Sequence, residues 1–91
     1  KELREMADAL RQKLGSGIVL LAAEQEGKAL ILAAVTRDLT DRYSAGEIIK
    51  KLAPVIGGKG GGKSDMAQAG GSEPANINKA IEELYRIIQA M

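Results

Sequence analysis

The residues best equipped for chemistry stand between Gly57 and Gly71, in the run GGKGGGKSDMAQAGG. Lys59 and Lys63 are set among Gly57, Gly58, Gly60, Gly61 and Gly62, and Gln68 follows five residues after Lys63. Lys50 and Lys51 lie just upstream, and Glu47 is the lone acid between residues 44 and 64. An ammonium is a compact point charge that tolerates variable phosphate geometry, and consecutive glycines can turn several main-chain amides toward one anion. The chemistry on offer is therefore anion binding, with phosphate as the leading ligand. Glycine loses more conformational freedom on folding than any other residue, so such density implies special dihedrals or close approach of a ligand to the main chain. A solvated helix face running into a flexible linker is the competing reading of the same composition.

The literal pattern G-x-x-x-x-G-K-[ST] is met by Gly57 to Ser64. A phosphate-binding loop of that kind leaves a buried strand and opens a helix, whose amides and lysine cradle the phosphates. Here a helical pattern precedes the loop, and SDMAQAGG cannot continue as a stable helix through two glycines. The match is read as accidental.

What is missing narrows the field further. With no cysteine and no histidine, the chain lacks thiolate and imidazole metal ligands, Ser-His and Cys-His nucleophile pairs, and disulfides. The acids have plain roles as turn or helix-surface residues, so no catalytic residue, metal or cofactor is assigned. Tyr43 and Tyr85 are the only aromatics, too few for an extended base-stacking surface. Both are expected at the rim of the core. The apolar runs 18–23 and 29–35 are too short to cross a bilayer, so no membrane partner is expected and the location expected is cytoplasmic.

The elements that must position the lysines follow from periodicity. At 91 residues and 45% apolar content, one domain spanning 1–91 is expected. Because the chain opens on Lys1 inside a helical pattern, it reads as a piece of a longer protein. Leu3, Met6, Ala7, Leu10 and Leu14 form one apolar stripe on a helix that Gly15 ends. Residues 18–23 and 29–35 flank a polar connector in which Glu26-Gly27 suits a tight hairpin, so both runs are read as strands covered on both faces. A helical hairpin is the alternative. A capping box, Ser44 with Glu47, starts a helix burying Ala45, Ile48, Ile49, Leu52, Ala53 and Ile56, which Pro54 ends or kinks. A further strand is placed over 64–69, stopped by Gly70-Gly71. A last helix begins at Pro74, with Ile77, Ile81, Leu84, Ile88 and Met91 inward. The fold class is α/β in the α+β sense: a small mixed sheet of about three or more strands with helices packed on it, in the order α-β-β-α-β-α.

The glycine-rich run with Ala67, Gln68, Gly70 and Gly71 resembles the signature of the DHH-associated domain, in the form found at the C-terminus of alanyl-tRNA synthetases. Ala69 lengthens the gap before the glycine pair relative to that form. The resemblance covers nearly the whole chain. It implies a non-catalytic C-terminal fragment of a ligase that grips the outer corner of tRNA(Ala), where the D and T loops meet, so that one tRNA serves aminoacylation and editing. It also implies the parent's catalytic and editing domains as partners, and a possible homodimer. Mapped here, Gly57 to Lys63 with Lys59 and Lys63 approach RNA, Gln68 lies in the signature, and Lys50 and Lys51 add backbone contacts. The same domain type occurs in DHH phosphoesterases acting on oligonucleotides or cyclic dinucleotides, where a Gly-Gly-Gly-His motif meets the substrate. Lys63 stands where that histidine falls, so this is the alternative reading.

Overall fold

The hairpin at residues 18–35 is the spine around which the remaining elements pack. In the computed structural model, which describes residues 2–90, it consists of β1 (Ile18–Gln25) and β2 (Lys28–Val35), paired antiparallel from Ile18 against Val35 to Gln25 against Lys28. Glu26 and Gly27 turn the chain with φ of 53° and 75°, the two positive values a two-residue turn of this hand requires. Before the hairpin comes α1 (Glu2–Leu14). After it come α2 (Ala45–Leu52), β3 (Gly58–Gly62), β4 (Met66–Gly71) and α3 (Ile77–Ala90), with short 3-10 turns at Arg37–Leu39, Ala53–Ile56 and Pro74–Asn76. The four strands form one antiparallel sheet in the order β1-β2-β4-β3.

β2 lies inside the sheet and is covered on both sides, which explains why its sequence does not alternate. Ala29, Ile31, Ala33 and Val35 face α2 and α3, in a core built on Ile48, Ile49, Leu52 and Ile56, all fully buried or nearly so. Leu32 and Ala34 face the other way, toward Ala7 of α1 and Val19 of β1. The turn from α1 into β1 is held by Gly17 N–H donating to Thr36 Oγ1 at 3.0 Å, and by Thr36 N–H donating to the Gly17 carbonyl at 3.1 Å. Ser16 Oγ donates to Asp38 at 2.5 Å, and this bond, with a second from Thr36, holds the Asp38 carboxyl below its ordinary value of 3.8.

The start of α2 is capped as its sequence requires: Ser44 Oγ accepts from Glu47 N–H at 3.4 Å. Among the described residues Glu47 does not complete the box, and its carboxylate lies 3.9 Å from Lys50 Nζ instead. All six residues expected on the inner face of α2 and its extension are buried. The regular helix stops at Leu52, and Pro54 sits in the following 3-10 turn.

Five expectations need correction. The glycine run is a strand, β3, and not a loop. A polyglycine segment carries no side-chain alternation, so its strand character is invisible to any period-two pattern. The strand expected over 64–69 is β4, Met66–Gly71, and Gly70-Gly71 belong to it because they pair with Ala29 and Leu30 of β2. The stripe on α1 is largely outside: Met6, Leu10 and Leu14 are 53%, 40% and 51% exposed, and only Ala7 is fully covered. On α3 Ile77, Leu84 and Ile88 pack on the core as expected and are joined there by Ala80 and Ile87, whereas Ile81 is at the surface and Met91 lies outside the described residues. Tyr43 packs against the core rim as expected, whereas Tyr85 is 65% exposed.

Candidate nucleic-acid interface

β3 is an edge strand, and its register against β4 decides which way each residue points. Gly58 pairs with Gly71, Lys59 with Gly70, Gly60 with Ala69, Gly61 with Gln68 and Gly62 with Ala67. Side chains alternate across a strand and paired residues share a face. Gly58, Gly60 and Gly62 therefore share the α2 face with buried Ala67 and Ala69. Lys59, Gly61, Gln68 and Gly70 share the α1 face.

On the α2 face glycine is obligatory. A Cβ on Gly58 would run into the carbonyl of Gly70, one on Gly60 into Ala69 and the Gln68 carbonyl, and one on Gly62 would come within 2.7 Å of Ala67 Cα. Glycines here let β3 lie flat against β4 and under α2. Gly57 is needed for another reason: its φ of 71° is left-handed, and it closes the 3-10 turn that delivers the chain to β3. Gly61 differs. A Cβ there would meet nothing nearer than Lys50 Cε at 4.0 Å, and its φ is not in the left-handed region. On the same face, Gly70 is equally unconstrained, with Leu30 Cδ2 at an ordinary 3.6 Å. The fold itself does not ask for glycine at 61 or 70.

Around these two bare positions the structure gathers most of the expected site. Lys59, Gln68 and Gly70 line a shallow hollow with Leu3 and Leu30, and Gly61, Lys63 and Gln68 line a second one beside it. Gln68 is exposed and stands between the two. Lys50 reaches the edge of β3 from the α2 side, as its distance to Gly61 shows. Lys51, also exposed, lines neither hollow. Sequence reasoning missed Arg4 and Arg11, which α1 brings to the Lys63 hollow. Arg11 Nη1 donates to the Asp65 carbonyl at 3.0 Å and lies 3.7 Å from the Asp65 carboxylate, and Arg11 also pairs with Asp8. Three cations and the two acids Asp8 and Asp65 thus meet in that hollow, leaving an excess of one positive charge. No spacing signal links residue 11 to residue 65, because the contact exists only once α1 lies on the sheet.

The edge is not an anion nest built from consecutive amides. Lys63 N–H donates to the Met66 carbonyl at 2.9 Å, and in an antiparallel ladder such pairs alternate, so Gly61 and Lys59 bond to β4 while Gly58 and Gly60 turn outward. Nor is the N-terminus of α2 open to phosphate, since Ala45 and Gly46 N–H donate to the carbonyls of Ser64 and Lys63 at 2.8 and 3.0 Å. A 3-10 turn precedes the glycines, and they form a strand themselves and lead into another instead of opening a helix, which removes the P-loop geometry. What remains is a flat main-chain surface with lysines on both sides of an open edge. Among the described residues no cluster of three potential metal ligands occurs, and no helix is long and apolar enough to cross a membrane.

The DHHA1 domain family matches residues 1–90. This chain belongs to that family. It is 61% identical over 87 residues to the alanine–tRNA ligase of Anaeromyxobacter dehalogenans (strain 2CP-C), and 55% identical over 89 residues to that of Roseiflexus sp. (strain RS-1). The matches cover 96% and 97% of the chain but only 10% of each ligase, so the chain spans about a tenth of the length of these curated relatives. In structure it is similar to the C-Ala domain of Aquifex aeolicus alanyl-tRNA synthetase, with a TM-score of 0.90 and 34% identity over 96% of this chain and 78% of that one. The DHHA1 chain is thus a C-Ala domain of the alanyl-tRNA synthetase type.

Proposed function

We propose that this DHHA1 domain binds tRNA through the open edge of β3 and its α1-facing surface, on behalf of a parent alanine–tRNA ligase. The observation that carries the reading is Gly61: a glycine that the fold does not need, on an exposed edge, with Lys50, Lys63 and Gln68 around it. Close approach of a ligand to the main chain is the remaining reason for a glycine there. The lysines supply phosphate contacts, and the Gln68 amide supplies a donor and an acceptor for a base or ribose edge. The partner is tRNA(Ala), held at its outer corner so that the catalytic and editing domains of the parent act on one tRNA. The domain works without a cofactor or metal of its own, in the cytoplasm. The relatives favour a ligase over a phosphoesterase parent, and Lys63 cannot supply the proton chemistry of a histidine.

A mobility-shift titration with tRNA at several salt concentrations tests this. The slope of log affinity against log salt should fall by about two in Lys59→Ala/Lys63→Ala, because each lost phosphate contact removes about 0.9. An unchanged slope in the double variant would remove the β3 lysines from the interface.

A further inference from the structure

Residues set four apart on a helix share one face, and α1 meets the sheet along such a row: Leu3 and Ala7 pack with Val19, Leu32 and Ala34, and the next place in the row is Arg11. An apolar residue suits that place, and a charge there is costly unless it is paired. Arg11 is paired on both sides. Its Nη2 donates to Asp8 Oδ1 in the same helix, while Nη1 donates to the Asp65 carbonyl at 3.0 Å and lies 3.7 Å from the Asp65 carboxylate. The side chain is only 20% exposed, and between two carboxylates it keeps no net attraction for a phosphate. Lys63, two residues before Asp65, is exposed and has no ion-pair partner among the described residues. The turn that joins β3 to β4 is pinned by its carbonyls. Gly46 and Ala45 N–H, at the start of α2, donate to those of Lys63 and Ser64 at 3.0 and 2.8 Å, and Val35 N–H shares that of Asp65 with Arg11 at 2.9 Å. Among the described residues Arg11 is the one side chain that donates to this turn.

We propose that Arg11 is a positioning residue for Lys63: it fastens the β3–β4 turn to α1, so that the lysine is held ready in the hollow it shares with Gly61 and Gln68. The proposal rests on the reading of the β3 edge as the RNA-binding surface. α2 holds one side of the turn, and α1 holds the other through Arg11 alone. Held on both sides, the turn cannot roll about the strand axis, and Lys63 loses less freedom when it meets a phosphate. Without the guanidinium, the Asp65 carbonyl keeps only the Val35 amide, and the Asp65 carboxylate is left unpaired in the same hollow as Lys63. Arg11 therefore acts on the RNA through Lys63 and does not touch it. This sets Arg11 apart from Arg4, which is exposed in that hollow and has no ion-pair partner among the described residues.

The test is a double-mutant cycle read by tRNA titration. Arg11→Met/Asp8→Asn removes the donor and leaves the net charge of the hollow as it was, and methionine suits the apolar row beside Leu3 and Ala7, so the circular dichroism spectrum should not change. Affinity for tRNA should fall about tenfold, the scale of one lost charge-assisted hydrogen bond. In a Lys63→Ala background the same two changes should cost less than about twofold, because the residue they act through is gone. Amide hydrogen exchange reads the turn without RNA: Val35 and Ala45, whose acceptors are the Asp65 and Ser64 carbonyls, should exchange about tenfold faster in the Arg11 variant, while Leu52 in the core is unaffected. Equal losses of affinity in the two backgrounds would make Arg11 a direct contact and overturn the proposal. So would unchanged exchange at Val35 and Ala45, or full affinity in the Arg11 variant when Lys63→Ala alone is weakened. If Lys63→Ala binds tRNA as tightly as the parent chain, the RNA reading of this edge falls and the positioning role falls with it.

Discussion

Adding one methyl group at Gly60 and one at Gly61 should have opposite effects, although the residues are adjacent in the same strand. At Gly60 the new Cβ points into β4, onto Ala69 and the Gln68 carbonyl, with no flexible side chain free to give way. The edge strand must then shift outward, breaking its ladder with β4. Overpacking of this kind costs about 1–3 kcal/mol. For a domain of this size each kcal/mol moves Tm by about 4–8 °C, so Gly60→Ala should melt about 4–24 °C below the parent chain. At Gly61 the methyl enters open space, 4.0 Å from Lys50 Cε, on a backbone that any residue adopts. There the loss of unfolded-state freedom should stabilise by about 0.4–1 kcal/mol. Urea unfolding followed by circular dichroism measures both. The RNA affinity of Gly61→Ala should nevertheless fall about tenfold, the effect of about 1.4 kcal/mol of lost contact at the bare strand. The reasoning is refuted if Gly60→Ala is as stable as the parent, or if Gly61→Ala loses more than about 1 kcal/mol.

Further expectations concern the core and the turn that closes α1. Leu52→Ala, at a fully buried position beneath α2, should destabilise by about 2–5 kcal/mol in the same urea assay. Asp38 should titrate below 3.8, because its bonds from Ser16 and Thr36 favour the carboxylate. The sign follows: a carboxyl whose folded value is depressed contributes stability that is present above 3.8 and is lost as pH falls through the folded value. NMR titration of the side-chain carboxyl reads this directly. Ser16→Ala should move the midpoint upward, and a wild-type midpoint at or above 3.8 would contradict the assignment.

The parts of the fold legible in the sequence were those whose side chains carry a pattern. α2 showed both a capping serine and a full inner face from Ala45 to Ile56, and each residue of that face is buried. The β1–β2 hairpin was legible because Glu26-Gly27 is turn chemistry between two apolar runs. β3 was not, since pattern reading depends on side chains that glycine lacks. The same bareness hid Gly70 and Gly71, which look like a strand stop and are strand residues, tolerated because β2 and β3 flank them on either side. The stripe on α1 was read correctly as apolar but not as exposed, because burial depends on how many elements share a layer. For the site, the lysines and Gln68 were legible as a charged, glycine-rich group, whereas the division of glycines into those the strand requires and the two it does not needs the register. Arg4 and Arg11 entered only through tertiary packing.

The central claim is that RNA meets this domain at the edge of β3. Amide chemical-shift mapping of the labelled chain, titrated with tRNA at low salt, tests it residue by residue. The largest changes should fall on residues 58–63, on Gln68 and Gly70, and at Lys50 on the rim of α2, while β1 and α3 stay still. Shifts concentrated on α3 or on the β1 edge, with residues 58–63 unmoved, would contradict the account.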